Sequence, residues 1–270
     1  MNNKLIHAIR NKGKYDAKRR VDRRSYEHIK LLLINGADAN SADIWGRTAL
    51  MIAASKNSAN IVKLLIDYGS DINKKINEIG WTPLMESVFS CRIITRHTAS
   101  PYASTQSVDT ASPYASTQSV DTEVLVNTDI VKLLVQSGAD LNATNECGMT
   151  ALMLACVQRT HSIVSILIRA GANLDIADTN KYTALMHATL ETNEAVVKDL
   201  LDSGADIHAI DNNGKTALDI SNIRKQLNII RLIENEYKLR AAAMDGVTKV
   251  CDYYKLPPGI DNLIKSFLKL

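Results

Sequence analysis

The chain has 270 residues, 46% hydrophobic, 5% aromatic and 23% charged, with a formal net charge of +3 at pH 7 and a pI near 8.6. So mild a basic surplus does not imply a nucleic-acid partner. No run of about 18 apolar residues offers a membrane span, and the opening MNNKLIHAIRNKGK lacks the apolar core and cleavage site of a signal peptide.

Residues 5–9, LIHAI, read as the end of a first helix, and residues 29–34, closed by Gly36-Ala-Asp38, as a second. Between them, residues 12–24 hold Lys12, Lys14, Lys18, Arg19, Arg20, Arg23 and Arg24 against Asp16 and Asp22, a local charge of +5. Such a segment is a solvated loop, or else a contact for phosphates, an acidic partner or a nuclear import receptor. Residues 43–75 form an uninterrupted unit, and another starts at Asn77. In that unit Gly138 comes 56 residues after Thr82, where intact units take 21 from threonine to glycine.

The excess, about 90–126, falls between a first helix at residues 83–89 and a second at 129–135. It contains TASPYASTQSVD twice, at 98–109 and 110–121. Blocks rich in Ser and Thr, with Pro101 and Pro113 and few large aliphatics, bury too little to offset ordering entropy. A disordered, exposed loop is expected, tolerated because long surface insertions cost little; its hydroxyls and Tyr102 and Tyr114 are open to modification or short-motif binding.

Units then follow without a break at 145–177, 178–210 and from 211. Thr-Ala-Leu-Met stands at Thr48, Thr150 and Thr183, Thr-Pro-Leu-Met at Thr82 and Thr-Ala-Leu-Asp at Thr216, while Gly-(Ala/Ser)-(Asp/Asn) recurs at Gly36, Gly69, Gly138, Gly171 and Gly204. The uninterrupted threonine spacings are 34, 33 and 33, the signature of a stack of small units. In one unit Ile61, Val62, Leu64, Leu65 and Ile66 make an apolar stripe at helical spacing. Thr48 sits where an N-cap hydroxyl is expected and Gly69 where a left-handed C-cap is. So short a helix pair cannot bury both faces, and each unit must lean on its neighbours.

Period and motifs resemble the ankyrin repeat, whose pattern is matched by Asp43-Ile-Trp-Gly46-Arg-Thr48-Ala-Leu50, by Ile61-Val-Lys-Leu-Leu-Ile-Asp-Tyr-Gly69-Ser-Asp71 and by Asp211-Asn-Asn-Gly214-Lys-Thr216-Ala-Leu218. The resemblance implies an all-α solenoid of about six helix-turn-helix units with β-turn fingers, spanning residues 1–240. It further implies protein binding through the fingers and the inner helices, which together present a concave surface. The variable finger position between glycine and threonine holds Arg47, Trp81, Met149, Tyr182 and Lys215, with Trp45 beside the first. Aromatic and Arg residues at exposed turns dominate binding hot spots, although such side chains, Trp81 above all, can instead pad neighbouring fingers.

Two departures stand out. The family's histidine after Thr-Pro-Leu is Met51, Met85, Met153 and Met186 here, and Asp219 in the last copy, so its hydrogen bonding is absent or rebuilt. Lys181 replaces the finger glycine, and if the turn needs a left-handed residue, Asn180 or Lys181 carries roughly 1–2 kcal/mol of strain.

The sixth unit lacks Gly-Ala-Asp and grows more polar, as a terminal unit should. In the remaining residues, 241–270, Leu256-Pro257-Pro-Gly-Ile260-Asp-Asn-Leu-Ile264-Lys-Ser-Phe267-Leu268 resembles the opening of an F-box, with Gly259 in place of the usual glutamate and without the later helices. Tails of this kind end many ankyrin proteins of large DNA viruses and some intracellular bacteria; they dock on the Skp-type adaptor of a cullin ubiquitin ligase while the repeats select a substrate. The other reading is a helix that caps the sixth unit with the apolar face of Ile260, Leu263, Ile264, Phe267 and Leu268.

No phosphate-cradling glycine loop, G-x-S-x-G elbow or H-E-x-x-H is present. His7, His28, His97, His161, His187 and His208 are scattered, and Cys91, Cys147, Cys156 and Cys251 show no Cys-x-x-Cys spacing. Neither catalysis nor a metal or other cofactor is expected, and a reducing compartment is. The sequence therefore reads as a monomeric binding protein of the cytoplasm, with a nuclear role open through residues 12–24.

Overall fold

The computed structural model describes residues 2–11, 23–76, 79–90 and 128–253. Most of the basic segment, the duplicated TASPYASTQSVD blocks and the F-box-like residues Leu256, Pro257, Ile260, Ile264, Phe267 and Leu268 lie outside the described residues. The described chain forms twelve α-helices, and its only strand-like pairing is an isolated antiparallel bridge between Ala42 and Thr48.

The helices come in six pairs. These are α1 Asn2–Asn11 with α2 Arg23–Ile34, α3 Ala49–Ser55 with α4 Ala59–Asp67, and α5 Pro83–Ser90 with α6 Asp129–Gln136. They continue as α7 Ala151–Val157 with α8 His161–Arg169, α9 Ala184–Leu190 with α10 Glu194–Asp202, and α11 Ala217–Ile223 with α12 Leu227–Tyr253. Odd-numbered helices pack in one row, even-numbered helices in a second, and each pair packs across the two. One continuous core results, with Leu50, Leu65, Leu84, Leu134, Leu152, Val164, Leu185 and Leu200 inside it.

Local chemistry sets both ends of these short helices. The hydroxyls of Thr48, Thr82, Thr150, Thr183 and Thr216 each accept the N–H three residues on, at 3.2 to 3.4 Å. Each such cap contributes about 1 kcal/mol. The second helices of the first five units stop at glycines in the left-handed region, such as Gly69 at φ 80°, a conformation glycine adopts without a Cβ clash.

The fingers between pairs share one hydrogen-bonding plan. The N–H of Asp43, Asn145, Asp178 and Asp211 reaches the carbonyl four residues on, and each carbonyl accepts from the residue three on. In the third finger the bond runs from Ile76 to Trp81, five residues on, so this finger holds one residue more. That extra residue accounts for the 34-residue spacing, and it puts the start of the turn at the buried Ile76, one position before Asn77.

Left-handed backbone also appears where no glycine announces it. Lys181, at φ 61°, is the strained residue of the fifth finger. Asn57, Arg159, Thr192 and Lys225 hold φ between 56° and 58° in the connections between first and second helices. At Gly148 the constraint is double: φ is 75°, and a Cβ there would stand 2.9 Å from the Cα of Asp178 in the next finger.

Replacing Lys181 or Thr192 with glycine is expected to raise the unfolding free energy by about 1 kcal/mol each, and Gly148→Ala to lower it by about 2 kcal/mol. Urea denaturation followed by circular dichroism measures all three, and a loss of stability in Lys181→Gly would show that the lysine chain contributes more than its backbone costs.

Candidate functional site

The finger row is stapled by its own first residues. One side-chain oxygen of Asp43 accepts the N–H of Trp45 and of Arg47, both at 2.9 Å. Asn145, Asp178 and Asp211 repeat the arrangement in their fingers. Backbone bonds then join successive fingers, Glu146 N–H to Ile79, Thr179 N–H to Cys147 and Asn212 N–H to Asn180. Residues at the tips are thereby held on a rigid backbone, the condition for a preorganised binding surface.

The six variable finger residues divide by exposure. Trp45, 54% exposed, lies under the guanidinium of Arg10 at 4.7 Å, and Lys215 is exposed. Arg47 is mostly buried with its Nε 3.6 Å from Asp43. Trp81 is half-buried and meets Phe89 edge to face at 5.2 Å, and Met149 and Tyr182 are half-buried against the core. The N–H groups of Lys215 and Asn213 hold the Asp211 carboxyl of the next finger below its usual range, with a smaller contribution from the nearby Tyr182 hydroxyl. Trp45 and Lys215 are thus exposed to solvent, while Arg47 is held within its own finger and Trp81, Met149 and Tyr182 pack against the core.

Hydrogen bonding at the missing histidine is rebuilt in three ways. The four methionines fill the space, all 1% exposed or less, and the sulfur of Met51 accepts the N–H of Thr48 at 3.4 Å. In the sixth unit Asp219 accepts both the N–H and the hydroxyl of Thr216, at 2.9 and 2.7 Å, and these bonds depress its pKa. In the fifth unit the histidine stands one residue later: His187 Nε2 lies 3.0 Å from Asp178, and its ring meets Tyr182 edge to face. Burial lowers the pKa of His187, against the opposing pull of Asp178 and Glu191.

A side-chain ladder that sequence reasoning missed runs along the other loops. Asn40 accepts the N–H of Asp71 and donates to the carbonyl of Gly69 in the next unit. Asn73 does the same for Asp140 and Gly138, and Asn142 and Asp175 accept the N–H of Asn173 and Asp206. The signal was present as the residue two past each Gly-(Ala/Ser)-(Asp/Asn), polar in every copy. Since the sixth unit lacks that loop, α12 substitutes for it. Tyr237 donates to the carbonyl of Ile207 at 3.0 Å, Arg240 to that of Ala205 at 3.0 Å, and the Tyr237 ring packs on His208. Helix α12 then continues through Ala241 to Tyr253.

Histidine and serine do meet one carboxylate, on the even-numbered row, where His161 and Ser165 each lie 2.9 Å from Asp199. Both groups reach the acid rather than each other, so the serine is not set up for deprotonation by the histidine. Cys156 is fully buried and burial pushes its thiol far above the usual range, the opposite of a reactive cysteine. Among the described residues no cluster of His, Cys, Asp or Glu could hold a metal ion, and no helix is long and apolar enough to cross a membrane.

A family model described as ankyrin repeats, in three copies, matches residues 19–96 and 124–211. A solved ankyrin repeat domain from Acinetobacter baumannii superposes with a TM-score of 0.65 over 87% of this chain and 98% of its own, at 24% identity, and so shares its fold. Serine/threonine-protein kinase 12 of Arabidopsis thaliana is 40% identical over 63 residues, 23% of this chain; the chain spans only 14% of that protein's length.

Because the pKa of His187 is depressed, the unfolded chain binds this proton more readily than the folded one. Stability is therefore full above about pH 6.5 and falls as the pH drops through the range between the unfolded and folded values. Urea midpoints at pH 7.5 and 5 should draw apart less in His187→Gln than in the parent; equal slopes would show that His187 is not the group responsible. Tyr237→Phe should cost about 1 kcal/mol by leaving the Ile207 carbonyl without its donor, again measured in urea.

Proposed function

This chain belongs to the ankyrin-repeat family, and we propose that it is a protein-binding module that holds one partner protein on its finger row and adjoining first helices. Ankyrin repeats bind protein partners as a rule and are generally not enzymes. The observation that carries the reading is the stapled finger backbone, which presents Trp45 and Lys215 to solvent while Trp81, Met149 and Tyr182 are half-buried against the core. Aromatic anchors on a rigid frame lose little entropy on binding. The proposed working form is a monomer in the cytoplasm.

A second reading makes the module the substrate receptor of a cullin ubiquitin ligase, with residues 256–268 on a Skp-type adaptor, as in the viral and bacterial proteins whose tails it resembles. One observation favours it. Tyr237 and Arg240 already close the fifth unit's loop, so those later residues are not needed to cap it there.

Pull-down from cell lysate with the full chain, a chain truncated before Lys255 and the double variant Leu256→Ala, Ile264→Ala separates the two. Recovery of adaptor and cullin by the full chain alone, with all three chains equally folded, establishes the ligase receptor. A partner retained by all three and lost with Trp45→Ala supports the simple binding module. Loss of the fold on truncation would overturn the assignment of capping to Tyr237 and Arg240.

A further inference from the structure

In the second to fifth units the leucine two places after the capping threonine is sealed in the core. Leu50, Leu84, Leu152 and Leu185 are each 1% exposed or less, under the first helix of the next unit. Their counterpart in the sixth unit, Leu218, is only half-buried, because no described first helix follows α11. Instead it lines an open groove of about 430 Å³ with Glu234, Tyr237 and Lys238 of α12. The groove is firm on one side, where the Tyr237 hydroxyl bonds the Ile207 carbonyl and the ring packs on His208. Its polar rim is left over: Glu234 and Lys238 are exposed, and among the described residues neither forms an ion pair, since Arg240 is taken by Glu236.

We infer that residues 260–268 of this chain dock in the groove as a helix antiparallel to α12, in the place of the missing first helix. The element that covers this leucine in the earlier units is a helix of 7 or 8 residues, and Ile260, Leu263, Ile264, Phe267 and Leu268 give an apolar helical face of that length. Charge selects both the segment and its direction. Glu234 and Lys238 stand four residues apart on α12, and Asp261 and Lys265 stand four apart beside the apolar face. Run antiparallel, the segment brings Lys265 to Glu234 and Asp261 to Lys238 as charge-assisted bonds, whereas a parallel helix would oppose like charges. A chain that reverses at Pro257-Pro258-Gly259 after α12 runs antiparallel. Reach is sufficient: α12 ends at Tyr253, ~24 Å of helix beyond Tyr237, and the ten residues to Leu263 span up to roughly 33 Å. Tethering places the segment at about millimolar effective concentration. The inference goes beyond both functional readings and depends on neither, although in the second the same apolar face would serve the adaptor, so that docking and adaptor binding exclude each other.

Carbodiimide coupling of the purified full chain, which joins a lysine to a carboxylate in contact with it, tests the inference when the linked peptides are read by mass spectrometry. Links from Glu234 to Lys265 and from Lys238 to Asp261, within one chain, are the expected result. Amide hydrogen exchange of residues 263–268 should be slowed at least tenfold relative to a free peptide of the same sequence. That protection should drop at least fivefold in Leu218→Glu and in Glu234→Lys, and return when Glu234→Lys is combined with Lys265→Glu. Links found only between chains, in a mixture of isotopically labelled and unlabelled protein, put a second copy in the groove and overturn the inference. Exchange at the free-peptide rate overturns it too and leaves the groove to a partner protein. Protection that ignores Leu218→Glu overturns the groove, and a charge swap that restores nothing overturns the antiparallel pairing. Unchanged protection of α7 to α10 shows that each variant keeps its fold. No adaptor is in the sample, so the ligase reading stands or falls separately.

Discussion

Helices of seven to nine residues such as α3, α4, α7 and α8 are too short to persist alone in water. Every other feature of this chain follows from the need to give each of them a neighbour on both sides. Leu50, Leu84, Leu152 and Leu185 are almost fully buried because the next first helix covers them. The same requirement fixes the loops: a unit that must be covered by its successor needs its fingers and its Gly-Ala-Asp turns in step with the next. The Asn40, Asn73, Asn142 and Asp175 ladder provides that step one backbone amide at a time. Hydrophobic burial supplies the drive, and these polar contacts fix the register.

The sixth unit poses a separate problem, since among the described residues no further unit covers it. Here the answer is a helix that outgrows its unit. Helix α12 has 27 residues where α8 and α10 have 9, and its middle returns Tyr237 and Arg240 to the loop that would otherwise lack a partner. Carbonyls at the far end are satisfied within the chain, while the near end leaves Ile44 and Trp45 uncovered.

Much of this was legible in the sequence because it is local or repeated. Thr48 and its four counterparts cap through a bond three residues long, and Gly69 and its counterparts need only their own backbone. Lys181 was narrowed to one of two positions by the same means. What escaped depends on neighbours brought together by folding: Asn73 works on Asp140, 67 residues away, and nothing in a single unit shows that an asparagine there reaches the next. Left-handed Asn57, Arg159, Thr192 and Lys225 escaped for another reason, since a residue that adopts a costly conformation leaves no compositional mark. The finger residues were recognised as a set, but their division into exposed Trp45 and Lys215 and half-buried Trp81, Met149 and Tyr182 needed the packing of adjacent fingers.

The third unit differs from the others in how its helices find each other. Only Gln158, Arg159 and Thr160 separate α7 from α8, whereas α5 and α6 must meet across residues 91–128. Closing that longer loop costs on the order of 2 kcal/mol more chain entropy, and in a linear array that penalty falls on one unit alone. Nucleation is therefore favoured in the contiguous block from α7 to α12 or in the α3–α4 pair, with α5 and α6 joining as the seam. A site spread over the whole finger row is then complete only after that seam has closed, whereas one confined to the first fingers is in place before it.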